Sequence, residues 1–563
     1  MKRRWTILLL AAIVIAAFAV RLVPYAASPY PYNVDGYPLV RGAERIVADG
    51  HWDRADTGSN LEAYNSKMPL FSYVLAEFSL VLGIKPMDCI QIMTAVMGAA
   101  CVIIGFALAK KLTGSDVAAL GCASVLALHG FFVYTTVAAW KEGLGILFLL
   151  LTFLLFEGRA DPRKRVLLAL VLMLLPLTHH LTTLVAYSFV FIGVCADSVT
   201  RWRADRLDWN WTTCEATTLA APAAFAYLYF SGVNMEFFSD VNNANDAALL
   251  GSAIFLGAVV AILLTMPAMS KPWFIFNTKP GVVSASLLFD EKSLALLVGY
   301  GALLLNSSIN LFPGTQFTSD ALLVGVAPLI PVFLLAIAGF NLLRYSKIAS
   351  KATITAMALA PIFLLIFSAA KAYDPASFFV TYRLLDYIDP FVAVAAGIGI
   401  AFLAAAAVKR LGKGSWRGRG AAFALGAVFV MLLASTTPLA YDWERVFDIS
   451  SETKPQQFEA IEWARDSGVK NLSTDQWNSD IAGPYFEINS DQFLPYYLRD
   501  GKGYGDTPML LEDEWKARGA QTFLSGRMPI PAANFDAAIA NGDLVYSAGP
   551  AGNRVFIVIP YGG

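Results

Sequence analysis

The side chains of this sequence that could do chemistry are Asp35, Lys141 and Glu142, His179 and His180, Asp320 and Arg383. Two carboxylates in separate loops could share a divalent cation, which prefers oxygen ligands. An arginine holds phosphate oxygens through its planar fork. Asp35 lies between Asn33-Val34 and Gly36-Tyr37, and glycine lets a backbone approach a ligand closely. The alternative is an ordinary turn, for which Asp-Gly is a common dipeptide. Lys141-Glu142 could equally be a helix start whose acid complements the helix N-terminus, and Arg383 a snorkelling anchor. His179 and His180 read as interfacial turn residues rather than a metal pair, because adjacent residues on a helix do not face the same way.

The elements that position these residues follow from composition. Hydrophobic residues make up 57% of the 563 and charged residues 15%, and the mean hydropathy is +0.56. Apolar runs of ~20 residues recur along most of the chain, as in a polytopic α-helical membrane protein. No basic patch argues for nucleic acid, and the five cysteines form neither a disulfide framework nor a zinc spacing. The stretch Pro29 to Trp52 is too polar to span and rich in tyrosine, so it reads as a long interfacial loop. Residues 67 to 84 read as a helix packed at the outer surface.

Charge sorts the loops by side. Lys110 and Lys111, the basic turn Gly158 to Arg165, and Arg201, Arg203 and Arg206 mark the inside. The loops around 178 to 181, 231 to 247 and 306 to 320 contain no Lys or Arg. The stretch 166 to 199 is too long for one upright helix, and Pro176 to Thr182 is its natural break. About thirteen spans result, with a cytoplasmic N-terminus and an extracytoplasmic C-terminal α/β domain. Residues 1–439 form the transmembrane domain, with a large first outer loop at 24–87, and residues 440–563 the soluble domain. In the latter, Phe458 to Ala464 has helical spacing, and Arg554 to Ile559 reads as a buried strand. Asp35, Lys141-Glu142, His179-His180, Asp320 and Arg383 then gather on the outer face. Ionisable groups at membrane depth suggest a functional site. An acidic metal site beside an arginine suits cleavage of a lipid-linked phosphate, although the same parts could line a transporter.

Several of these motifs resemble, in order, those of the bacterial and archaeal single-subunit oligosaccharyltransferases, members of the GT-C glycosyltransferase superfamily. Asp35-Gly36-Tyr37, with Gly42-Ala43 and Ile46, resembles their first outer loop. Ala139 to Ile146 sits where they carry a second acidic motif, Tyr382 to Pro390 resembles their arginine segment, and Phe458 to Ala464 the helix opening their external domain. The resemblance implies a GT-C-like fold and a cell-membrane, multi-pass enzyme. It would transfer a sugar or oligosaccharide from a polyprenyl-phosphate-linked donor to a glycan, lipid or protein acceptor on the outer face. Asp35 and Glu142 would be the metal-binding, catalytic acids for Mg²⁺ or Mn²⁺, and Arg383 would contact the donor phosphate.

The departures are as specific. Trp140 replaces the first acid of the second motif, and Thr474 to Asp480, TDQWNSD, stands where the family reads an acceptor sequon through Trp-Trp-Asp-Tyr-Gly. Thr318-Ser319-Asp320 is a loose stand-in for a later acidic motif. A transporter or flippase of polyprenyl-linked glycans and a non-catalytic assembly subunit are the alternatives. Transporters often show internal repeats and helices broken near mid-membrane. This sequence shows no repeat, and its polar residues cluster at outer helix ends.

Overall fold

A computed structural model of the chain describes residues 3–52, 60–203, 209–233, 291–309, 323, 326–343, 351–361, 384–412, 415–442, 451–502, 505–522 and 526–561. They fall into two compact units. The first is Met1–Val20, Val96–Thr135 and Glu142–Ala440; the second is Arg21–Ala95, Thr136–Lys141 and Tyr441–Gly563.

The first unit is helical. Its densest packing is around Leu384–Arg410, which lies against Asp116–Leu128 and Ile330–Leu343. Small residues allow this: a side chain on Gly121 would fall 3.0 Å from the Gly397 Cα, and one on Gly399 would fall 2.5 Å from the Leu335 carbonyl oxygen. Where lipid supplies no hydrophobic drive between helices, such close backbone approach is what holds them together.

The expected break in 166 to 199 is present. Pro162–Thr178 ends at His179, whose backbone is extended, and His180–Arg203 begins immediately after. A second break falls inside the run 116 to 135, which reads as one span: Asp116–Leu128 and Gly130–Val137 are bent by 60° at His129. Among the described residues five helices are long and apolar enough to cross a membrane, or six with the bent pair as one. That is fewer than the about thirteen expected from apolar run lengths. Lys141–Phe156 has only 16 residues, and the expected span 248 to 269 lies outside the described residues.

Among the described residues of the second unit, seven strands form two sheets. They are β1 (Asn471–Ser473), β2 (Asn489–Asp491), β3 (Met509–Glu512), β4 (Ala520–Thr522), β5 (Gly526–Met528), β6 (Gly542–Ala548) and β7 (Val555–Pro560). The larger sheet runs β2-β1-β3-β7-β6, and β4 pairs with β5. β1 is parallel to β2 and β3, whereas β7 is antiparallel to β3 and β6. Alternate residues Met509 and Leu511 of β3 and Phe556 and Val558 of β7 enter one core with Trp515 and Phe535, as the two-residue period of a strand requires. The helix and the strand expected in this tail are Pro455–Asp466 and β7.

The stretch read as an interfacial loop is largely helix, Gly36–Asp49, with Tyr37, Val40, Ala43 and Ile46 on its buried face. The charges that suggested a loop are bonded within this unit: Arg41 and Arg45 donate to Glu487 Oε1 at 2.6 and 3.0 Å, and Glu44 accepts from the Tyr485 hydroxyl at 3.0 Å. An amphipathic helix needs only one apolar face. Gly50 ends it in the left-handed conformation, φ 74°.

Candidate functional site

Asp35 occupies the N-cap position of Gly36–Asp49, yet its side chain makes no capping hydrogen bond. That is unusual for a residue type whose carboxylate ordinarily satisfies the first helical amides. Its backbone N–H donates to Asn33 Oδ1 at 3.0 Å, and Asn33 itself has φ 97°. The segment is tied down on both sides: Asn33 N–H donates to the Ser451 carbonyl at 2.7 Å, and Ala139 N–H to the Tyr32 carbonyl at 2.8 Å. Gly36 is needed for packing. A Cβ there would lie 2.6 Å from that of Pro31 and 2.9 Å from that of Ala139. The glycine expected to let a ligand approach instead lets two protein segments meet.

A second carboxylate faces this region from the tail. Asp480 lies on the helix Gln476–Ala482, which is followed by Tyr485, packed edge-on to Tyr37 at 5.8 Å. Burial first, and then the charge of Asp35, push the Asp480 carboxyl up to about 7. A nearby negative charge disfavours the ionised form of a carboxyl. Sequence order could not reveal this, because Asp480 falls in a segment that departs from the family pattern.

Lys141 and Glu142 open the helix Lys141–Phe156 and are both buried. Lys141 Nζ stands 4.2 Å from the centre of the Tyr64 ring. Glu142 Oε1 is 3.2 Å from His179 Nε2. The other nitrogen, His179 Nδ1, is 3.0 Å from Thr182 Oγ1 and 3.2 Å from the Tyr387 hydroxyl. The extended backbone at the helix break turns His179 inward. His180, 4.9 Å away between ring centroids, begins the next helix and is partly exposed. The adjacent histidines therefore do different things, as their spacing implies, but His179 is more than a turn residue.

Asp386 and Asp389 are among the further buried acids of the same unit. Asp386 Oδ1 accepts from the Thr135 hydroxyl at 2.6 Å, and Asp389 Oδ2 is 3.4 Å from His129 Nδ1, at the bend of the broken span. Tyr387, Asp386, Asp389 and His129 were missed as candidates. The signal for His129 was present: a histidine followed by glycine inside an apolar run. Arg383 and Asp320 lie outside the described residues. Among the described residues no group of three or more His, Cys, Asp or Glu side chains is arranged to hold a metal ion.

No family model matches this chain, and no curated protein matches it. Solved structures do. The apo oligosaccharyltransferase of Archaeoglobus fulgidus superposes with a TM-score of 0.55 over 92% of this chain and 70% of its own, at 13% identity. The archaeal oligosaccharyltransferase AglB from Archaeoglobus fulgidus, in complex with an inhibitory peptide and a dolichol-phosphate, superposes with a TM-score of 0.55 over 99% of this chain and 74% of its own, at 12% identity. The likeness is one of fold. This chain shares the fold of these two oligosaccharyltransferase structures.

Proposed function

We propose that this protein is a membrane glycosyltransferase of the GT-C type. It transfers a sugar or oligosaccharide from a polyprenyl-phosphate-linked donor to an acceptor on the outer face of the membrane. The observation that carries the reading is the fold shared with the two archaeal enzymes over 92% and 99% of this chain. The dolichol-phosphate bound to one of them supports a lipid-phosphate donor. The N-terminus is cytoplasmic and the tail extracytoplasmic in this reading, as the charge asymmetry of the loops supports.

Asp35 and Glu142 are the proposed catalytic acids and Arg383 the proposed donor-phosphate contact. Each acid by itself offers the carboxylate oxygens that a hard divalent cation, Mg²⁺ or Mn²⁺, prefers, and the Asp35 carboxylate is not used to cap its helix. When bound, such a cation supplies positive charge that stabilises a departing phosphate. His179, within 3.2 Å of Glu142, fixes the orientation of that carboxylate. Arg383 would hold phosphate oxygens through its fork as the bond from the anomeric carbon to the phosphate breaks. The acceptor, whether glycan, lipid or protein, is not a sequon read in the family's way, because Trp477-Asn478-Ser479-Asp480 replaces that motif.

The test supplies the purified full-length protein with radiolabelled polyprenyl monophosphate and diphosphate sugars, together with an extract of candidate acceptors. Metal-dependent release of the polyprenyl phosphate with label appearing in an acceptor is expected. A well-folded protein that cleaves neither donor class contradicts the reading.

A further inference from the structure

The second unit contains a pocket of about 420 Å³ that the roles assigned above leave unused, and small-ligand sites fall in the range of about 300–1,000 Å³. Asp475 and Glu512 form one wall, and both are buried. Asn478 joins them, its Nδ2 donating to Asp475 Oδ1 at 2.9 Å and to Glu512 Oε1 at 2.5 Å. Gln457 Nε2 also donates to Glu512 Oε1, at 2.9 Å, and the Gln521 N–H donates to Asp475 Oδ2 at 3.1 Å. Three cations also line the pocket and share one acid. Lys454 pairs with Glu514, Arg518 Nη1 is 3.1 Å from Glu514 Oε1, and Arg527 Nη1 is 3.7 Å from the same oxygen.

Two tryptophans line the same pocket. Trp477 is 5% exposed, and its indole Nε1–H has no hydrogen-bond partner among the described residues. Trp515 is 3% exposed. Buried polar groups are nearly always paired, so an unpaired indole donor beside a pocket points to a missing partner.

We propose that this pocket binds a neutral saccharide. Sugar hydroxyls donate to carboxyl and amide oxygens and accept from an indole N–H, while the C–H faces of the ring pack on aromatic rings. Burial holds the carboxyls of Asp475 and Glu512 above the ordinary range. The inference concerns binding alone and does not rest on the transfer reaction.

The experiment uses the full-length protein in detergent on an array of neutral mono- and disaccharides, uronic-acid glycans and an Asn-x-Thr peptide. The best neutral sugar is then titrated calorimetrically against the wild type, Trp477→Phe and Glu512→Gln. Retention of neutral sugars is expected, weakened at least about tenfold in both variants. In the wild type, hydrogen exchange over residues 474–480 should slow when that sugar is added, a readout that requires no variant to fold. Absence of neutral-sugar binding, preference for the acidic glycans or the peptide, unchanged affinity in both variants, or unchanged exchange would each overturn the proposal.

Discussion

Glu142 Oε1 stands 3.2 Å from His179 Nε2, with both side chains buried. The imidazole is held from its other side by Thr182 and Tyr387, so the hydrogen bonds at one nitrogen constrain the proton at the other. This bridges the helix that starts at Lys141 and the break that the sequence places between Pro176 and Thr182.

His179→Ala is therefore expected to lower turnover by about 10- to 100-fold, the cost of losing a partner that orients a catalytic ligand. It should also destabilise the protein by about 1–3 kcal/mol, because buried polar groups lose their partners. His179→Gln retains a polar group that can meet some of these partners and should recover part of both losses. Turnover and thermal unfolding of the two variants check this, and equal activity in both would remove His179 from the site.

Part of the fold was legible because apolar runs and helix breaks are local signals. The break at His179 follows from a stretch too long for one helix, and β7 from an unbroken apolar run bounded by Arg554. The bend at His129 was not legible as a break, since hydrophobicity continues across it and only one histidine marks it. The helix Gly36–Asp49 was hidden by its own charges, Arg41, Glu44 and Arg45, whose partners Glu487 and Tyr485 come from the tail. Separation in sequence also concealed the effect of Asp35 on Asp480 and, over a shorter stretch, the joining of Asp475 to Glu512 through Asn478. Residue types can nominate an acid, but only the fold brings two of them together.

The Asp480 carboxyl gives a pH signature. Its folded-state value near 7 exceeds that of an unfolded aspartate, because of burial and the Asp35 charge. The folded state therefore binds the proton more tightly, and this group's contribution to stability falls as pH rises from about 4 through 7. Asp480→Asn should flatten that part of the profile. Asp35→Asn should shift its midpoint to lower pH by removing the neighbouring charge. Thermal unfolding of the full-length variants between pH 4.5 and 8 tests both, and identical profiles would show that the two acids do not interact.

The side assignment is tested separately. A tag after Gly563 should react with impermeant reagents on intact cells, and one placed in Gly158 to Arg165 only after permeabilisation. The reverse pattern would put the proposed site on the wrong face.

Asp35 carries most of the proposed chemistry, and turnover of its variants is the decisive measurement. Asp35 is partly buried at a helix start and its carboxylate makes no cap, so Asp35→Asn and Asp35→Ala should change stability by only about 0.5 kcal/mol. Loss of one positioned electrostatic group in a catalytic site costs about 100- to 1000-fold in rate. Asp35→Ala should show that loss and need more Mg²⁺ or Mn²⁺ for its residual activity. Asp49→Asn, at the exposed end of the same helix, should be nearly silent. Unchanged turnover and metal dependence in a well-folded Asp35→Ala protein would contradict the assignment.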